Sequence, residues 1–294
     1  MSDATTAEAL YTDALTSSSA AHDWYAAVSI SRRMVFAALR DTDYLKDIAT
    51  GLRKSGIHAI VLRHMAGPPI SQDQFALLCA AYPKGAEKAG RQFPSGAAAA
   101  VAETFLKVRD RRLTRWVDGG RRPTIAEVRA VVHSVAPLLS QQTVATLRRH
   151  RLSSAQEHAV INLLLGEGWD RIISGVVEQS SALPLRHFMH KTRFATMTRP
   201  QEVDIACGLG RSVVLAMECK VTNDRTNSVK RVNDILKKAT AWQDHWGSFV
   251  RTAALLQGVI AERDVARLTA ANVAVFWSHD LESFSEWLKR NIIE

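Results

Sequence analysis

Cysteine is scarce in this sequence, and so are the marks of an exported or membrane-bound chain. The 294 residues hold only Cys79, Cys207 and Cys219, which have no metal-ligand spacing and cannot all pair. Buried free thiols in a reducing cytoplasm are the expectation. No apolar run reaches the ~20 residues that span a bilayer. The N-terminal stretch MSDATTAEALYTDALTSSSA is acidic and polar where a signal peptide would be basic and then apolar, so the chain is expected to be neither exported nor inserted. A glycine-rich phosphate loop, a Ser/His/Asp set and the aromatic pattern of an RNA-recognition module are absent too. Acidic residues run short: 29 Asp and Glu face 38 Lys and Arg. The resulting net charge of +9 and pI near 9.7 suit a polyanionic partner, without separating DNA from RNA. With 47% hydrophobic and 23% charged residues, the composition is that of a globular protein of one large domain or two ordinary ones.

The most informative stretch is QEVDIACGLGRSVVLAMECK, residues 201–220. It reads as two apolar strands joined at Gly208-Leu209-Gly210. Alternation puts Val213, Leu215, Met217 and Cys219 on one face of the second strand, leaving Glu218 and Lys220 together on the other. On the first strand Val203, Ile205 and Cys207 bury, opposite Glu202 and Asp204. A three-residue loop over Gly208–Gly210 puts Asp204 and Glu218 on one face. That register sets Asp204 opposite Val214 and leaves Glu218 roughly 13 Å further along an ideal strand, so a shared site requires splay or a bulge. Carboxylates among sheet residues are costly unless something binds them. A divalent cation answers that need: two hard oxygens suit Mg²⁺, which keeps few protein ligands plus waters and a substrate phosphate.

An Asp, then a strand-borne Glu-x-Lys after a short hairpin, then a helix, resembles the PD-(D/E)XK nuclease superfamily, the fold of type II restriction endonucleases. The resemblance covers roughly residues 150–294. It implies that Asp204 and Glu218 hold Mg²⁺ and that Lys220 assists attack on a phosphodiester. The superfamily's proline before the Asp is replaced by Val203. An additional acid often comes from nearby in such nucleases. Glu202, on the face of Asp204, has the best claim; Glu178, just upstream, Glu167 and Glu157 could also supply it, although each reads first as an exposed helical residue. The resemblance further implies double-stranded DNA as substrate, a homodimer if the target is a palindrome, and a cognate methyltransferase in the same host.

The expected fold is α/β (α+β): a restriction-endonuclease-like mixed sheet flanked by helices over residues 151–294, after a helical region over 1–150 serving DNA contact or dimerisation. In the first part, Lys107, Arg109, Arg111, Arg112, Arg115, Arg121 and Arg122 fall on or just after one expected helix with Trp116 among them. Arg111, Arg112 and Arg115 are candidate phosphate contacts. Residues 123–139 and 141–151 read as separate helices, Ser153 or Ser154 as the cap of the next, and 169–177 as its continuation. His187 and His190 read as surface or DNA-facing, and 193–198 as the first strand. After Lys220, a helix over 226–246 opens with Arg225, Asn227, Lys230 and Arg231, side chains suited to base edges and phosphates. Strands over 250–260 and 272–277 and helices over 262–270 and 281–292 complete the order. Two other readings fit: a nuclease of the same fold acting in repair or phage defence, and a non-catalytic DNA-binding protein with a structural Asp204/Glu218/Lys220 set.

Overall fold

The computed structural model describes residues 2–16 and 18–293. Two compact units divide the chain: residues 18–148, and residues 149–294 together with 1–17. The first seventeen residues thus group with the C-terminal unit, although the sequence placed them in the N-terminal region. Helix α1 (Asp3–Thr16) buries Ala4 and Ala7 there.

The helical unit holds α2 (Ser18–Asp41), α3 (Ile48–Lys54), α4 (His58–His64), α5 (Gln72–Leu78), α6 (Ser95–Val108), α7 (Arg115–Asp118) and the beginning of α8 (Ile125–Gly166). Leu39, Leu52, Leu62, Phe75, Phe105 and Trp116 form its core. Helix α5 starts where a capping box fixes it: Gln74 N–H donates to Ser71 Oγ at 3.1 Å and Ser71 N–H to Gln74 Oε1 at 2.7 Å. The basic run does not lie on one helix. Helix α6 stops at Val108, and Asp110 then turns the chain by accepting from the N–H groups of Arg112 at 2.8 Å and Leu113 at 3.1 Å. Arg109 is buried against Thr114 and Asp118. Trp116 lies in the core, its Nε1–H donating to the Tyr44 carbonyl at 2.8 Å.

Residues 125–166 form one helix, with Pro137 inside it, where several were expected. Nothing after Pro137 breaks it, because no glycine or proline follows until Gly166. Ser153 is therefore an interior residue, and its hydroxyl meets Glu157 Oε1 one turn on, at 3.3 Å, instead of capping.

Asp41, at the end of α2, ties three elements together. Its carboxylate, 7% exposed, receives Lys54 Nζ at 2.8 Å and Arg40 Nε at 3.0 Å, and His58 Nε2 lies 3.1 Å away. Burial pushes the Asp41 carboxyl up, but hydrogen bonds from Lys54, Arg40 and His58 outweigh it and hold the group well below the usual carboxylate range. Such a group contributes stability above its unfolded pKa of ~4 and loses it as pH falls through the lower folded value. Asp41→Asn is expected to destabilise this unit by about 1 kcal/mol at neutral pH, since two of the partners are exposed. Urea unfolding checks this: the gap between wild type and variant should close at strongly acid pH.

The second unit is a layered α/β/α structure. It contains β1 (Asp170–Arg171), β2 (Val176–Val177), β3 (His187–Phe194), β4 (Gln201–Gly210), β5 (Val213–Thr222), α9 (Arg225–Trp246), β6 (Val250–Gly258), α10 (Glu262–Ala270), β7 (Val273–Trp277) and α11 (Leu281–Asn291). The sheet runs β1-β3-β4-β5-β6-β7, with β2 also on β3. Strands β3, β4 and β5 are antiparallel, whereas β5, β6 and β7 are parallel. This is the mixed, helix-flanked sheet expected. On one face Val160, Ile161 and Leu164 of α8 and Phe284 and Leu288 of α11 cover Ile205, Leu215 and Met217. On the other, α9 packs Val232, Ile235 and Ala239 on β6, and Trp242 and Trp246 on Ala206 and Ala216. Residues 170–177 pair as two short strands rather than continuing a helix, because Gly168, at φ +78, ends α8. The first long strand lies over 187–194, several residues before the expected 193–198.

The central hairpin turns at a different place from the one its glycines suggest. Arg211 and Ser212, at φ +42 and +65, form a two-residue turn between the paired Gly210 and Val213. One extra residue follows as a bulge, after which Gly208 pairs Val214 and Ile205 pairs Met217. The glycines serve close approaches instead: a Cβ on Gly208 would lie 2.0 Å from the Pro184 carbonyl oxygen, and one on Gly210, at φ +91, would lie 2.1 Å from that of Ile293. The bulge restores the parity a two-residue turn alone would lose. Asp204 and Glu218 therefore come to the same level, without the 13 Å offset of the expected register.

Candidate active site

The β4–β5 ladder ends at Ile205 and Met217, one residue before the acids, while β5 continues to pair with β6 through Thr222. The two strands splay there, and the Asp204 side chain fills the gap. Its Oδ2 accepts the Cys219 N–H at 2.9 Å, a hydrogen bond the ladder would otherwise supply. Strand β3 deviates at the same level. Lys191 has φ +56, and it falls between the paired His190 and Thr192 without a ladder partner of its own. A non-glycine residue in the left-handed region is strained unless its surroundings hold it. Here they are the ion pairs of Lys191 Nζ with Asp204 Oδ1 at 2.7 Å and Glu157 Oε1 at 2.6 Å.

Lys220 Nζ lies 2.5 Å from Glu218 Oε2 and 3.4 Å from Asp204 Oδ2, joining the two acids. Glu218 is fully buried, and Lys238 of α9 meets both of its oxygens at 2.9 Å. Asp234, one turn earlier on α9, lies 3.9 Å from Lys220. Glu157 is buried and also receives His190 Nε2 at 2.8 Å. Three lysines and four carboxylates thus interleave at the ends of β4 and β5.

Position decides the charge states. Burial pushes Glu218 up, with the Asp204 charge adding to it, against the pull of Lys220 and Lys238. Asp204 is also raised by burial, but the Lys220 charge and the hydrogen bonds of Lys191 and the Cys219 N–H outweigh that and hold it low. Burial lowers Lys220, yet Glu218 and Asp204 raise it more.

The donor set fits a divalent cation. The carboxylates of Asp204 and Glu218 are hard oxygen ligands whose neighbours are ammonium groups and one N–H, so cationic charge already occupies the space between them. Among the described residues no three His, Cys, Asp or Glu side chains form a metal-binding group. Two protein carboxylates, with waters and a phosphate completing the shell, is the arrangement magnesium-like ions accept.

The other expected residues are scattered. Glu202 is exposed and lies 3.8 Å from Arg193, and Glu178 is exposed; neither reaches the acids. Glu157, read from sequence as an exposed helical acid, is the one drawn in. His190 is half-buried against it instead of facing solvent. At the start of α9, Arg225 is exposed and 3.7 Å from Glu8. Asn227 is committed to the helix cap, its N–H donating to Asp224 Oδ1 at 2.8 Å and its amide to Oδ2 at 2.5 Å. Lys230 is exposed and Arg231 half-buried. Arg111, Arg112 and Arg115 are exposed in the helical unit. Lys191 and Lys238 carry no sequence signal beyond the i,i+4 spacing of Asp234 and Lys238. The three cysteines are buried and free, as expected. Among the described residues no helix is long and apolar enough to cross a membrane.

A layered mixed sheet with two acids and a lysine at the ends of adjacent central strands is restriction-endonuclease-like. The profile of the XamI restriction endonuclease family matches residues 43–277, and the chain belongs to that family of site-specific deoxyribonucleases. It is 29% identical over 195 residues to the type II restriction enzyme XamI of Xanthomonas campestris pv. amaranthicola, spanning 64% of this chain and 67% of that enzyme. A solved structure, protein VC1899 from Vibrio cholerae, aligns over 83% of this chain at 10% identity and a TM-score of 0.30. The chain spans 56% of that protein's length.

Proposed function

We propose that the protein is a Mg²⁺-dependent type II restriction endonuclease of the PD-(D/E)XK kind, hydrolysing phosphodiesters in double-stranded DNA at the Asp204–Glu218–Lys220 centre. The observation that carries this reading is the convergence of both acids on Lys220 at the splayed end of the central hairpin. Asp204 and Glu218 would hold the cation, which when bound polarises the scissile phosphate and lowers the pKa of a bound water. Lys220 would orient the attacking water and donate to the phosphorane oxygens as charge builds on them. Lys191 and Lys238 hold the two carboxylates in place from either side. Glu157, joined to Asp204 through Lys191, is the best-placed additional acid.

Arg225, Lys230 and Arg231 at the start of α9, and Arg111, Arg112 and Arg115 in the helical unit, would contact DNA. Asn227 would do so by giving up its cap bond. A palindromic target would pair with a homodimer, since a two-fold site calls for a two-fold protein. The host's own sites would need a cognate methyltransferase. The cytoplasm suits three free thiols.

Incubating purified protein with unmethylated phage DNA tests the reading. Discrete fragments that require Mg²⁺ are expected. A smear would point to an unspecific nuclease of repair or defence, and retained binding without cleavage on several unmethylated DNAs would overturn the enzymatic reading.

A further inference from the structure

The positive charge of the chain belongs to one unit. Residues 18–148 hold 19 Lys and Arg against 10 Asp and Glu, whereas the unit with the candidate centre holds 19 of each. The helical unit thus accounts for the entire net charge of +9. Much of its basicity is already spent in ion pairs, such as Arg63 with Glu87 and Arg109 with Asp118.

Lys46, Arg121 and Arg122 line a cavity of about 290 Å³ between the turn after α2 and the loop after α7. Asp43, Tyr44 and Leu45 have φ of +45, +56 and +71, a run of non-glycine residues in the left-handed region. Single residues of this kind are uncommon, and a run persists only where the surroundings impose it. Here Tyr44 N–H donates to the Leu39 carbonyl at 2.6 Å, Leu45 N–H to Thr42 Oγ1 at 3.1 Å, and Trp116 Nε1–H to the Tyr44 carbonyl at 2.8 Å. The turn delivers Lys46 and the Tyr44 ring to the cavity. Opposite, Arg122 stands 5.9 Å above that ring, and Arg121 lines the wall. Arg122 pairs with Asp43 at 2.9 Å and Arg121 with Glu127 at 2.8 Å. Each guanidinium has five donors, and the Arg122 side chain is 78% exposed, so donors remain. Lys46 is exposed and makes no ion pair among the described residues.

We propose that this Tyr44/Lys46/Arg122 cavity is a phosphate-binding pocket that grips the backbone of duplex DNA, making the helical unit an electrostatic clamp on the substrate. The proposal rests on the reading of the chain as a DNA nuclease. Forked guanidinium donors beside an ammonium match the oxygens of a phosphodiester. The volume falls just below the ~300–1,000 Å³ of pockets that enclose a whole small ligand, which favours one phosphate with its sugar over a free nucleotide. A backbone contact holds the duplex without reading its sequence.

Equilibrium binding of the intact protein to a duplex oligonucleotide, in chelator and across a salt series, tests this against a Lys46→Ala/Arg122→Ala double variant. Each lost phosphate contact lowers the slope of log K against log salt by about 0.9. Lys46 and Arg122 share one phosphate, so the double variant should lose about 0.9 of slope and bind roughly tenfold more weakly, equally for cognate and unrelated duplexes. Arg122→Lys, which keeps the charge, should retain most of the slope. An unchanged slope in a double variant that melts like wild type would overturn the pocket, as would a loss confined to one sequence. If wild type shows no salt-dependent duplex binding and no cleavage, the nuclease reading itself fails. Wild type that cuts and binds beside an unaffected double variant removes the pocket alone.

Discussion

Asp204→Ala should abolish DNA cleavage, by roughly a thousandfold or more, while duplex binding measured in chelator stays within a few-fold of wild type. The carboxylate has two tasks that one substitution removes together. In the proposed centre it would supply oxygen for a cation between β4 and β5, and it accepts the Cys219 N–H where the strands part. Removing it also leaves Lys191 and Lys220 each without one of their acids. Asp204→Asn separates the tasks, because an amide oxygen still accepts the N–H but brings no charge. Plasmid cleavage should be lost in both variants, with the melting temperature lowered more in the alanine variant. Cleavage surviving in Asp204→Asn would sink the assignment of this carboxylate as a cation ligand. Cleavage surviving in both would favour the structural reading of the Asp204/Glu218/Lys220 set and move the reaction elsewhere.

The sequence made the second half of the fold legible because its elements follow simple periods. Alternation marked β5, and the 3.6-residue spacing of Val232, Ala239 and Trp246 marked α9. The same rules failed where long-range contacts override local preference. Arg211-Ser212 carries no turn signature, and the glycines that advertise a turn answer to the backbones of residues 184 and 293 crossing over them. Residues 170–177 look helical in composition but pair with β3. Asp204, Glu218 and Lys220 could be found because they share one hairpin and one face. Lys191, Glu157 and Lys238 could not, since they reach the same carboxylates from β3, α8 and α9, 13 to 34 positions away in pairs such as Lys191 with Asp204 and with Glu157. Trp116 shows the converse: surrounded by arginines in sequence, it is 1% exposed and belongs to the core.

The lysine at the centre separates the needs of catalysis from those of stability. In Lys220→Met the side chain keeps its approximate length and loses the ammonium, so Glu218 retains only Lys238 and Asp204 only Lys191 and the Cys219 N–H. Breaking one link of a buried charge network costs about 2 kcal/mol when other partners remain, and cleavage should fall roughly a thousandfold with the loss of the donor to the phosphorane. The sharper expectation concerns Mg²⁺. In wild type a cation entering between the acids meets an ammonium already there, and the two positive charges oppose one another. In the variant the cation replaces the missing charge. A ligand that binds the folded state more tightly stabilises it more, so Mg²⁺ should raise the melting temperature of Lys220→Met by more than it raises that of wild type, although the variant does not cut. Thermal melts of both proteins with Mg²⁺ and with chelator decide the matter. An equal shift would mean that the cation does not sense Lys220, and no shift in either would remove Asp204 and Glu218 as its ligands.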